Sequence, residues 1–74
     1  MTNTEIINKL RNELEQLRQK IMNLEIFLMT NKMKTLSDKA QDLLYTQKEV
    51  MIDYQNILIE RIALLQDLID GGEK

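Results

Sequence analysis

Gln47, Tyr54 and Arg61 stand seven residues apart, in a row that Ala40 and Leu68 complete. A planar amide, a phenol and a guanidinium along one groove can bind a ligand, with Arg61 gripping an anionic group in a fork and Tyr54 stacking on a base or ring. The same residues in a helical seam can instead fix register and oligomer state, with Arg61 paired to Glu25, Glu60 or a partner's carboxylate. Burying Arg61 without a partner would cost on the order of several kcal/mol, so either reading requires something to meet it.

A second group lies between residues 32 and 39, where Lys32, Lys34 and Lys39 surround Thr35 and Ser37. The start of a helix presents free N–H groups and a positive dipole end, and nearby lysines strengthen such a site for phosphate. Lysines and hydroxyls also decorate ordinary solvated turns. This is nevertheless the one local excess of positive charge in a chain of net charge −2.

Enzymatic chemistry has little to work with. Histidine and cysteine are absent, which removes the commonest general base, the thiol nucleophile, any zinc site and any disulfide. Glu13, Glu15, Asp53 and Glu60 fall at surface positions of the helical pattern, and the Glu-x-x-His pairs of a di-metal bundle cannot be built. No glycine-rich phosphate loop is present. Met1, Met22, Met29, Met33 and Met51 are scattered, as flexible packing rather than a copper site. The expectation is a non-enzyme with no cofactor and no metal.

The elements that must position these residues are helices. Proline is absent and the two glycines are Gly71 and Gly72, which argues against a β-rich fold. Thr2 followed by Glu5 is a capping-box spacing, with Asn3 and Thr4 as alternative caps, and Ile7, Leu10, Leu14, Leu17, Ile21, Leu24 and Leu28 then alternate three and four apart. These predict a first helix over about 4–30. Residues 31–36 break the pattern, with Asn31 a C-cap and Lys32 and Lys34 placed to meet the negative end of the first helix dipole. Ser37 and Asp38 read as the next helix start, and a second helix of about 37–70 follows, closed by the glycines and a short polar tail at 71–74. The short connection predicts an antiparallel hairpin, and the whole chain forms one domain. On the second helix, Leu43, Val50, Ile57 and Leu64 run beside Leu44, Met51, Leu58 and Leu65 as one apolar stripe toward the first helix.

That pairing leaves apolar residues over. Met22, Ile26, Phe27 and Met29 open a second stripe on the first helix, and Tyr45, Ile52, Ile59, Ile62 and Ile69 a second one on the other. A hairpin cannot cover both, so Met22, Ile26, Phe27, Met29, Ile52, Ile59 and Ile62 are expected at an oligomer interface, in a two-fold homodimer or higher even oligomer resembling a four-helix bundle. A chain of 74 residues without a staple gains most from such association. With 43% hydrophobic and 30% charged residues and a slightly acidic balance, the chain lacks the basic face of a duplex nucleic-acid binder. Its apolar runs are too short to span a membrane, and its first residues lack the basic and apolar regions of a signal peptide, which makes the cytoplasm the default location.

Leu24-Glu25-Ile26-Phe27-Leu28, Leu36-Ser37, Gln41, Leu43-Leu44, Gln47, Met51, Tyr54, Ile57-Leu58 and Arg61-Ile62 resemble a group of small phage and prophage helical-hairpin proteins over about residues 5–65. In layout the chain is also similar to phage anti-CBASS sponge proteins, which assemble as symmetric oligomers and sequester cyclic nucleotide signals. No ligand residue of that family maps onto a position here. The resemblance implies a phage-encoded counter-defence protein, acting in the host cytoplasm, that holds a cyclic nucleotide. Its phosphates would meet Lys32, Lys34 or Lys39, beside Thr35 and Ser37, and its base Tyr45, Tyr54 or Arg61. The alternative is an interaction scaffold gripping a host or phage protein through the spare isoleucine and methionine faces.

Overall fold

Thr2 opens the first helix as its spacing to Glu5 predicts. Its backbone is extended (φ −78°, ψ 160°), its hydroxyl accepts from the Glu5 N–H at 3.2 Å, and the Glu5 carboxylate accepts from the Thr2 N–H at 3.3 Å. Two otherwise orphaned donors are thereby met. The chain then runs, in a computed structural model that describes residues 2–71, through α1 (Asn3–Leu28), α2 (Asn31–Lys34) and α3 (Asp38–Gly71). Among these residues there is no strand, and α1 and α3 lie against each other as a hairpin. The expected tail beyond Gly71, including Gly72, lies outside the described residues; Gly71 itself is still helical.

The connection differs from the expected loop. Thr30 is extended (φ −85°, ψ 160°), and its hydroxyl and N–H both donate to the Phe27 carbonyl, at 2.7 and 3.0 Å. That carbonyl is one a left-handed cap would have met, and no described residue has a positive φ. Asn31 is therefore not the C-cap of α1, a place taken by Met29; it begins α2. Lys32 and Lys34 stand in the last turn of α2, so they meet that short helix's negative end rather than that of α1. Met33, on the opposite side of the turn, is 3% exposed and closes the base of the hairpin. Ser37 caps α3 as expected, its hydroxyl accepting from the Ala40 N–H at 3.2 Å, with Asp38 in the first turn.

The 34 residues of α3 give a helix of about 50 Å, and the molecule measures 58 × 17 × 15 Å. Its core is a single file. Leu10, Leu14, Leu17 and Ile21 of α1 form one buried cluster with Leu58 of α3, which is 0% exposed, and Ile6, Met51, Ile52, Ile62 and Leu65 pack against it. Each such side chain removed from water contributes about 1.5–3 kcal/mol. The α1 heptad pattern thus buries the face that its spacing selects, with Leu24 and Leu28 half-buried toward the turn.

On α3 the choice of face is different from the expected one. Leu44, Met51, Leu58 and Leu65 do turn inward, joined by Ile52, Ile62 and Ile69. Leu43, Val50, Ile57 and Leu64 are each more than half exposed. The apolar arc of α3 is wider than one neighbour can cover, and Ile62 rather than Ile57 flanks the buried row.

Candidate functional site

The heptad seam places two arginines on its border. Arg11 and Arg18 are one heptad apart on α1, next to the buried row that contains Leu14, so both lie along the same edge of the α1–α3 contact. Across that edge α3 contributes Ile59 and Ile62. Together with Leu14 and Glu15 these residues line a groove of about 380 Å³. Leu14 and Ile62 belong to the core or pack against it, which makes the floor rigid and apolar. Among the described residues neither arginine forms an ion pair. Their attachment points are about 10 Å apart along the helix, and two flexible side chains of that spacing can converge on one anion. A rigid apolar floor beneath two unpaired guanidiniums suits a ligand with a ring and a phosphate. Farther along the same edge, Glu25 pairs with Lys48 at 3.7 Å.

On the opposite edge the Tyr54 hydroxyl donates to the Glu13 carboxylate, linking α3 to α1. The phenol's pKa is raised above its ordinary value of 10.0, first by that hydrogen bond, then by desolvation and the negative charge of Glu13; Arg61 nearby opposes the rise. Arg61 forms no ion pair among the described residues, and Glu25, one expected partner, is held by Lys48. Gln47 donates to the Met51 sulfur at 3.8 Å. Gln47, Tyr54 and Arg61 therefore line an open flank and do not enter the hairpin core.

The family model that matches the chain is Sequestin, over residues 4–64. The chain belongs to the Sequestin family. No curated protein and no solved structure matches it. The name Sequestin denotes sequestration, which is ligand binding rather than catalysis. The matched span contains the whole groove and both sets of residues singled out in the sequence.

This Sequestin keeps those sets apart. Lys32, Lys34, Thr35, Ser37 and Lys39 are exposed at the turn end, where the Thr35 hydroxyl is engaged with the Lys32 carbonyl at 2.7 Å and that of Ser37 serves as the helix cap. Tyr45 is exposed about 12 Å along α3 from Ser37, Tyr54 about 25 Å and Arg61 about 35 Å. Within one hairpin a single nucleotide cannot touch both the turn lysines and Tyr54 or Arg61. Of the residues expected at an interface, Met22, Ile26 and Met29 are exposed, Met29 at 80%, and Phe27 is half-buried. Ile52 and Ile62 are packed against the hairpin's own core, and Ile59 walls the groove. The signal of Arg11 and Arg18 in the sequence is like charge at one heptad position bordering an apolar seam.

Among the described residues, no helix is long and apolar enough to cross a membrane, and no group of three acidic, histidine or cysteine residues could hold a metal.

Proposed function

We propose that this Sequestin is a phage-encoded, non-catalytic counter-defence protein that sequesters a nucleotide immune signal, in the class of cyclic nucleotides, within the host cytoplasm. The observation that carries the reading is the groove lined by Leu14, Glu15, Ile59 and Ile62 in which Arg11 and Arg18 form no ion pair among the described residues. Phosphates meet the guanidiniums in charge-assisted hydrogen bonds, and the base lies on the apolar floor. Self-association into a homodimer or higher even oligomer belongs to the same reading, since a 74-residue chain with this much exposed apolar surface gains stability by gathering.

The test is thermal melting of the purified protein against a panel of cyclic nucleotides. A ligand at a hundred times its Kd stabilises by about 2.7 kcal/mol, which for a domain of this size raises Tm by roughly 10–20 °C. The shift is expected to vanish in Arg18→Glu and persist in Lys34→Glu. The reverse outcome would move the site to the turn, where Lys32, Lys34 and Lys39 stand. A flat response across the panel would leave the second reading, a scaffold that grips a protein, for which the exposed Met22, Ile26 and Met29 provide an apolar surface.

A further inference from the structure

The helix α3 carries two heptad seams, and the hairpin uses one. Leu44, Met51, Leu58 and Leu65, with Ile62 and Ile69, face α1. Leu43, Gln47, Val50, Tyr54, Ile57, Arg61, Leu64 and Leu68 alternate four and three apart without a miss, and all eight are exposed. Alternation of this kind over more than three heptads is the pattern of a helix that pairs with another helix.

We propose that this second seam is the contact between two copies of the chain, packed α3 against α3 in antiparallel register. The pattern itself is self-complementary in that direction. Placing Leu43 opposite Leu68 of the partner subunit sets Gln47 opposite Leu64 of the partner subunit, Val50 opposite Arg61 of the partner subunit, and Tyr54 opposite Ile57 of the partner subunit. Every position of the seam then has a counterpart, and each polar side chain meets an apolar one. A parallel pair would stack Arg61 on its own copy, two like charges in one layer.

The charges agree. Among the described residues Arg61 forms no ion pair. In the antiparallel register it comes within one helical turn of Tyr54 of the partner subunit, and so of the carboxylate that accepts that tyrosine's hydroxyl. Asp53 lies on the same border. The size also suffices: at roughly 100 Å² each, the six exposed apolar or aromatic side chains of the seam bury about 1,200 Å² when two copies pair, the lower bound of a specific interface. The Arg11/Arg18 groove is on the other edge of the hairpin and stays open.

The experiment is light scattering across the micromolar range on the full chain, with Val50→Glu and Ile57→Glu variants and a cysteine cross-link. Wild type should show twice the chain mass. Each glutamate variant should show the single mass with unchanged helicity, since both positions are exposed in the hairpin. The native chain has no cysteine, so Leu43→Cys and Leu68→Cys chains, when mixed and oxidised, should give a mixed disulfide dimer that neither gives alone. A monomeric wild type, a dimer that survives Ile57→Glu, or cross-linking of Leu43→Cys with itself would each overturn the proposal. The nucleotide shift separates it from the functional reading. If that shift persists in monomeric Ile57→Glu, the groove works without the seam; if it is absent in a seam-dependent wild-type dimer, the ligand reading alone fails.

Discussion

Among the described residues, Leu58 is the one side chain with no exposure at all, in a cluster with Leu10, Leu14, Leu17 and Ile21 of the opposite helix. Truncating it to alanine removes three methyl or methylene groups' worth of packing from the middle of a single-file core. Neighbours on a helix pair can collapse only partway into the space, so the loss is expected at about 3 kcal/mol. For a chain of this length the total stability is about 4–11 kcal/mol, so Leu58→Ala costs roughly a quarter or more of it and lowers Tm by roughly 12–24 °C. Met29→Ala is the matched control: at 80% exposure it should change stability by less than about 0.5 kcal/mol. Urea and thermal melts followed by helical circular dichroism measure both, at one fixed protein concentration because association makes Tm concentration-dependent. If Leu58→Ala cost less than about 1 kcal/mol, or no more than Met29→Ala, the packing of α3 against α1 through this row would be refuted.

Removing the reciprocal cap with Thr2→Ala should destabilise by about 1 kcal/mol and speed hydrogen exchange in the first turn of α1 without altering that of α3. Tyr54 should titrate above 10.0, the direction its bond to Glu13 imposes; the difference between ultraviolet titrations of wild type and Tyr54→Phe isolates it, and Glu13→Ala should bring the midpoint back down. Because the fold raises this pKa, the contribution of the Tyr54–Glu13 bond to stability is present at neutral pH and is lost as pH rises through the folded-state value. A midpoint below 10.0 in wild type would show that the bond is not formed in solution.

The helical hairpin was legible in the sequence because its signals are local. The Thr2–Glu5 box, the unbroken run from Ile7 to Leu28 and the Ser37 cap each act within a few residues, and each appears as read. What periodicity could not convey is which of two apolar arcs of α3 meets α1. Leu44, Met51, Leu58 and Leu65 lie in both arcs' shared border, so the pattern of α3 by itself fits either rotation, and the hairpin contact, with Met33 buried at its turn, is a tertiary feature. Composition alone treats Met33 as one more flexible side chain. Ile52 and Ile62 changed roles for the same reason, going to the core while Val50 and Ile57 stayed exposed. The groove was hidden for a related cause: Arg11 and Arg18 are ordinary border charges until Ile59 and Ile62 arrive opposite them from α3.

A rod 58 Å long whose interior is one side chain deep opens like a zipper. Each layer leans on the two beside it, the turn holds one end shut, and fraying starts at the other, where the Thr2–Glu5 cap closes the first turn of α1. Arg11 and Arg18 on one strand of the zipper, and Ile59 and Ile62 on the other, straddle its middle, Arg11 toward the open end and Arg18 toward the turn. Anything that touches both strands there works as a clasp, and its grip would be felt as slower opening of the layers beyond it.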